Sequence, residues 1–194
     1  MIEISQHINN IFNSNTYIIE HKAFDYCYLI DIGDTDYLIE KSLNIKGIFL
    51  THSHFDHIYG INKVIEKYHD CKIFTSEYGE RALLDDRLNM SKYHEAPLTY
   101  CGKNVNVLYD NYKISLFPDV TLNVLATPGH CPSCLTYYTD NYIFTGDSYI
   151  PDIKVVTNLP KGNKIQAQES VEKIKALMGN RTICPGHGEM IITT

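Results

Sequence analysis

The chain has 194 residues, a formal net charge of −6 from 17 basic and 23 acidic side chains, a hydrophobic fraction of 44% and no tryptophan. That length fits one domain over residues 1–194, large enough to bury a core, and the composition excludes a disordered chain. The acidic balance and lack of a basic stripe speak against a nucleic-acid partner, and no apolar run approaches the roughly 20 residues of a membrane helix.

The opening Met1-Ile2-Glu3-Ile4-Ser5 lacks the basic start and apolar stretch of a signal peptide, so the expected location is a reducing cytoplasm. The six cysteines are scattered, which suits free thiols, several of them in the core. The expected partner is a small-molecule substrate, with neither nucleic acid nor membrane; the oligomeric state is not legible.

Short β-branched or aromatic runs, bounded by Gly, Pro, Asn or Asp, predict most of the secondary structure. Strands are expected at Thr16–Glu20 and Tyr26–Asp31, then a helix over Thr35–Leu43 capped by Asp34. A strand at Gly47–Thr51 precedes a helix over Tyr59–Tyr68, where Ile61, Val64, Ile65 and Tyr68 have helical spacing. A strand at Lys72–Thr75 precedes a short helix over Glu77–Leu84, with Ser76 as its cap, and Asp85–Lys113 reads as loop-rich. Further strands fall at Lys113–Leu116, Leu122–Ala126, Leu135–Thr139 and Tyr142–Thr145. The clearest helix is Lys164–Met178, with Ala167, Val171, Ile174 and Met178 on one stripe and Gly179-Asn180 as its stop; a strand at Thr182–Cys184 follows. Strands followed by helices in both halves indicate α/β architecture, with sheets covered by helices.

Five of the nine histidines (His52, His54, His57, His130, His187) directly follow short apolar runs, where a strand end can present side chains over a sheet edge. His7, His21, His69 and His94 lie in polar surroundings and read as solvated surface residues. The run His52-Ser53-His54-Phe55-Asp56-His57 packs four ligand-type side chains into six positions. Residues at i and i+2 of extended chain point to one side, and Asp56-His57 sits where the chain turns toward the next helix. Imidazole nitrogen and carboxylate oxygen suit Zn²⁺, and also Fe or Mn. In random order, H-x-H-x-D-H would arise about once in a thousand chains of this composition. Three later segments repeat one device, a strand end delivering a possible ligand: Thr127-Pro128-Gly129-His130, Thr145-Gly146-Asp147 and Pro185-Gly186-His187.

These motifs, in this order, resemble the metallo-β-lactamase superfamily, and within it the dinuclear hydrolases similar to glyoxalase II. The resemblance runs from Asn13-Ser14-Asn15-Thr16 to Pro185-Gly186-His187-Gly188. It implies a four-layer αββα sandwich with a cleft at one edge of the sheets. It assigns His52, His54 and His130 to one metal, Asp56, His57 and His187 to a second, and Asp147 as the bridge. It implies two divalent ions, zinc foremost, sharing a water or hydroxide that attacks an ester, thioester or lactone-like bond. Asp147 would set the metal spacing, and Asp56 would also relay a proton to the leaving group.

Some positions depart from the family pattern. The chain ends seven residues after His187, so the helical C-terminal domain of glyoxalase II is expected to be absent. Glu189 stands where some of those enzymes carry tyrosine and reads as a solvated acid. Ser53 replaces a common histidine that is not a ligand. Lys154 and Lys161 are weak candidates for binding an anionic substrate. The bridging Asp147 argues against β-lactamase activity. Tyr149 could donate to an oxyanion, although chance placement is the simpler reading among 15 tyrosines. Cys131-Pro132-Ser133-Cys134 is a C-x-x-C beside a candidate ligand; a tight turn with one buried thiol is weighed above a redox role. The competing functions are an iron-dependent, persulfide dioxygenase-like oxidoreductase and a metal-binding module without turnover.

Overall fold

The computed structural model describes residues 1–192. Six strands form one sheet in chain order: β1 (Ile2–Ile8), β2 (Asn15–His21), β3 (Cys27–Ile30), β4 (Ile45–Phe49), β5 (Lys72–Thr75) and β6 (Val105–Val107). Five form the other, in the order β11-β10-β9-β8-β7: β7 (Lys113–Phe117), β8 (Val120–Ala126), β9 (Leu135–Tyr138), β10 (Tyr142–Gly146) and β11 (Thr182–Pro185). Strands β3 to β6 run parallel and are joined through α1 (Asp36–Glu40), α2 (Ile61–Lys67) and α3 (Glu77–Leu83). The long helix α4 (Lys164–Met178) joins the parallel pair β10 and β11.

The layers follow from the period of two along each strand, which sends successive side chains to opposite faces. Tyr17, Ile19, Ile30 and Phe49 of the first sheet meet Leu122, Val124, Tyr137, Phe144 and Cys184 of the second in a shared core. Their neighbours Ile18, Leu29 and Ile48 face the other way and pack with Leu38, Ile61, Val64 and Leu83 of α1 to α3. On the outside of the second sheet, Ile143 and Ile183 pack on Ile174 of α4. The result is the expected αββα order, helix layer on sheet on sheet on helix layer.

Several elements differ from the sequence reading. β1 was not expected; it is a half-covered strand paired along its length with β2, from Ile2↔His21 to Ile8↔Asn15. β6 gives a three-residue strand inside the stretch read as loop-rich. α1 is shorter than Thr35–Leu43: Ser42 has φ of +52° and Thr35 makes no side-chain cap bond. The expected cap, Asp34, instead accepts from Tyr59 Oη (2.6 Å) and the Asn10 amide (2.9 Å). β4 stops at Phe49, because the Thr51 amide turns to Asp31 Oδ1 (2.6 Å) and its carbonyl accepts from Leu135 (2.7 Å), in the other sheet. α4 has the expected limits, with Asn163 Oδ1 accepting from Ile165 and Gln166 at its N-terminus.

Candidate metal centre

The sequence-predicted donors all lie beyond strand ends. His52 and His54 follow β4, and Asp56 and His57 sit in a 3₁₀ turn at Phe55–His57. His130 follows β8, Asp147 follows β10 directly, and His187 follows β11. The two sheets are tied together along this edge. Tyr137 Oη donates to Leu50 O (2.8 Å), and the Asn15 amide donates to Gly186 O (2.8 Å).

The seven side chains converge as two clusters and a link. His52, His54 and His130 each offer a ligand atom within 4.8 Å of the others, and so do Asp56, His57 and His187. In the second cluster His57 Nε2 is 3.3 Å from His187 Nε2, and each lies 3.4 Å from Asp56 Oδ2. In the first, His130 Nε2 is 2.9 Å from His54 Nδ1. Asp147 turns Oδ2 toward His130 Nε2 (3.5 Å), and Oδ1 toward His187 Nε2 (3.5 Å) and His57 Nε2 (3.6 Å). Donors about 2.0–2.2 Å from a tetrahedral cation lie roughly 3.3–3.6 Å apart. The second cluster and both arms of Asp147 have that spacing. His52 Nε2 and Asp147 Oδ1 are also buried without a hydrogen-bond partner, which costs free energy that a cation at each would recover. The residues present therefore fit a metal.

The far side of each imidazole fixes which nitrogen is free. His130 Nδ1 faces Val156 O (2.8 Å) and His187 Nδ1 faces Phe12 O (3.1 Å). A carbonyl can only accept, so both rings carry a proton on Nδ1 and turn Nε2 toward the cluster. His57 Nδ1 donates to Asp31 Oδ2 (2.9 Å). Asp31 is a residue that sequence reasoning missed. It lies near His52 and His57, but its oxygens already accept from the Thr51 amide and Thr51 Oγ1 (both 2.6 Å) and from His57. It holds a ligand rather than being one, and its φ of +56° shows the backbone strain spent on that position. The signal was available: an acid ending the apolar run Cys27–Ile30, as Asp147 ends Tyr142–Gly146.

Electrostatics divide the site. Burial and the charges of His57 and its neighbours pull His52 well below the ordinary imidazole value; burial and His130 take His54 down to about 4. His57 and His187 go the other way. Burial opposes their charge, but Asp56, Asp147 and Asp31 hold His57 well above the ordinary value, and Asp147 and Asp56 raise His187 to about 9. Burial alone would raise Asp56 and Asp147, yet the surrounding imidazoles keep both carboxyls far below the usual carboxylate range. Two glycines make room for this packing. A methyl group on Gly186 would run into Asp147 Oδ1, and Gly146 turns at φ of +50° against Thr51.

Of the other singled-out residues, Ser53 is buried and bonded to Ser133 through its amide (3.0 Å) and hydroxyl (2.9 Å). Lys154 borders a small pocket with His130 and Asp147, whereas Lys161 lies exposed in the loop before α4. Tyr149 packs by Ile174 under Lys175, on the α4 side, and Glu189 is exposed. The four remaining histidines stay outside the cluster, but only His69 is an exposed surface residue. His21 is buried with Nε2 3.2 Å from Asp119, His7 stacks on Tyr37, and His94 packs on Phe55, since each ring finds an aromatic or acidic neighbour. Both Cys131 and Cys134 are buried, where one buried thiol was expected.

An αββα sandwich with histidines and aspartates gathered beyond its strand ends defines a metal-binding protein of hydrolase architecture. The chain belongs to the metallo-β-lactamase superfamily, whose family model matches residues 9–187. It is 28% identical over 172 residues to the probable metallo-hydrolase YqgX of Bacillus subtilis (strain 168), covering 84% of this chain and 81% of that one. It is 30% identical over 143 residues to a hydroxyacylglutathione hydrolase of Buchnera aphidicola subsp. Baizongia pistaciae (strain Bp), covering 71% of this chain but 48% of the relative. The chain thus spans about half the length of that relative. Among solved structures, BLEG-1 B3 metallo-β-lactamase superposes with a TM-score of 0.88 at 24% identity, over 98% of this chain and 94% of the other. TTHA1623 in a di-iron-bound form superposes with a TM-score of 0.82 at 22% identity, over 97% and 94%. At these identities the superpositions speak to the fold. Among the described residues, no helix is long and apolar enough to cross a membrane.

Proposed function

We propose that the chain is a hydrolase holding two divalent cations, zinc foremost, that cleaves an ester, thioester or lactone-like bond of a small molecule. His52, His54 and His130 would hold one cation, Asp56, His57 and His187 would hold the other, and Asp147 lies between the two clusters. The observation that carries this reading is Asp147, whose two oxygens face different clusters at 3.5 and 3.6 Å. When bound, such cations bring the pKa of water down to about 7 and draw charge from a carbonyl oxygen. The chain's own residues do the rest. Val156, Asp31 and Phe12 keep the Nδ1 protons of His130, His57 and His187 in place, so their Nε2 atoms stay aimed inward. Asp56 contacts the imidazoles through Oδ2, and its carboxylate is the candidate to relay a proton from the attacking water to the leaving group. Lys154, beside His130 and Asp147, is placed to meet an anionic part of a substrate. The reading places the chain in a reducing cytoplasm.

The test is elemental analysis of protein purified without chelator, followed by thioesters, lactones, phosphodiesters and a chromogenic β-lactam as substrates. Turnover of a thioester or lactone, lost on chelation and restored by zinc, is expected. A chain that carries no metal, or turns over only the β-lactam, overturns the reading. Iron is the second candidate, favoured by the di-iron form of TTHA1623, and the same elemental analysis separates the two metals.

A further inference from the structure

We propose that Cys131 and Cys134 form a reversible disulfide that distorts the turn carrying His130 and weakens cation binding there. The second part of this claim rests on the metal reading above. Both thiols are buried and their Sγ atoms lie 3.4 Å apart. A disulfide needs about 2.05 Å, so the sulfurs must close by about 1.3 Å. The backbone is already folded for it. The Cys134 amide donates to Cys131 O (3.4 Å), a four-residue turn with Pro132 at its second position, which brings the two side chains together.

The pair is joined to the histidine cluster in two ways. His130 precedes Cys131 directly, and the Gly129 amide donates to Cys131 O (3.3 Å). Cys131 Sγ also lies 3.0 Å from Ser133 Oγ, which accepts from the Ser53 amide (3.0 Å) and sits 2.9 Å from Ser53 Oγ. Ser53 stands between His52 and His54. Drawing Cys131 Sγ toward Cys134 takes it from Ser133, pulls on the turn that carries His130, and disturbs the Ser133 contact to Ser53, between His52 and His54. The oxidant the proposal calls for is a small hydroperoxide. Its O–O bond breaks as the S–S bond forms. The two thiols give up two electrons, and with hydrogen peroxide their two protons leave in two waters. A dithiol reverses the bond by exchange.

The test uses the whole chain treated with stoichiometric hydrogen peroxide, mapped by non-reducing peptide mass spectrometry, with zinc affinity read by chelator competition. We expect a peptide spanning 131 and 134 that is lighter by two hydrogens, restored by dithiothreitol, absent in Cys134→Ser and retained in Cys101→Ser. We expect the oxidised protein to bind zinc at least about tenfold more weakly, as when a ligand's support is disturbed. Linkage through other cysteines overturns the proposal, as does equal zinc affinity in the reduced and oxidised forms. If the reduced protein binds no zinc, the earlier metal reading and the coupling both fail, while the mapped linkage still decides the disulfide itself.

Discussion

Around His52 and His54, burial and neighbouring imidazoles keep protons off the rings; around His57 and His187, the carboxylates of Asp56 and Asp147 keep protons on. The same residue type, a few ångströms apart, is thus pushed in opposite directions: His52 and His54 down, His57 and His187 up. His52 and His54 are ready to receive a cation at neutral pH. The second cluster has to expel protons first, so the two clusters should fill differently as conditions change.

Removing the shared element tests the comparison most severely. Asp147→Ala takes one oxygen from each cluster, and hydrolysis should fall by about a thousandfold or more, with metal content falling alongside. Full activity with undiminished metal, by steady-state kinetics and elemental analysis, would remove the two-cluster scheme. Asp31→Asn should act mainly on one side. Asp31 takes the His57 Nδ1 proton, so the second cluster should lose about 10–100-fold in affinity, and the first less. Equal losses at both, by isothermal titration, would show that the clusters are not separately supported.

The pH dependence sharpens the contrast further. With His187 raised to about 9, its imidazolium contributes stability to the cation-free protein that is fully present below about pH 6.5 and lost as pH rises through about 9. A cation at its Nε2 must displace that proton. His57, also held protonated, adds a second proton to displace, so affinity at the second cluster should climb by at least about tenfold per pH unit from about 7 to 9. His54, down at about 4, contributes no such slope there. Chelator competition across that range would show one flat and one rising affinity; two parallel curves would erase the distinction. The smallest effect is a control. Asn163→Ala removes the α4 cap and should cost about 1 kcal/mol, a fall of roughly 2–4 °C in Tm, with both affinities unchanged.

Much of the fold was legible because the second sheet and α4 carry clean signals, such as the Ala167, Val171 and Ile174 stripe. The strand-end position of His130, Asp147 and His187 was legible too, since Gly or Pro marks each break. What failed was local chemistry answered by distant partners. Asp34 reads as a helix cap, but Tyr59 and the Asn10 amide claim it. β1 alternates weakly and needs β2 to define it. His21 looks solvated in sequence, but Phe24 and Phe117 pack on its ring and Asp119, far along the chain, meets its Nε2. Asp31 ends its strand in view, but its task depends on Thr51 and His57 folding over it.

The first sheet is assembled from residues 2–107 in unbroken order, and the second from 113–185. During synthesis the emerging polypeptide can therefore build its first layer before the other exists. The three imidazoles of the first cluster are all out of the ribosome well before His187 is translated. A nascent chain could thus capture one ion early and wait for its last strand to complete the pair, so that the order of loading would be written in the direction of translation.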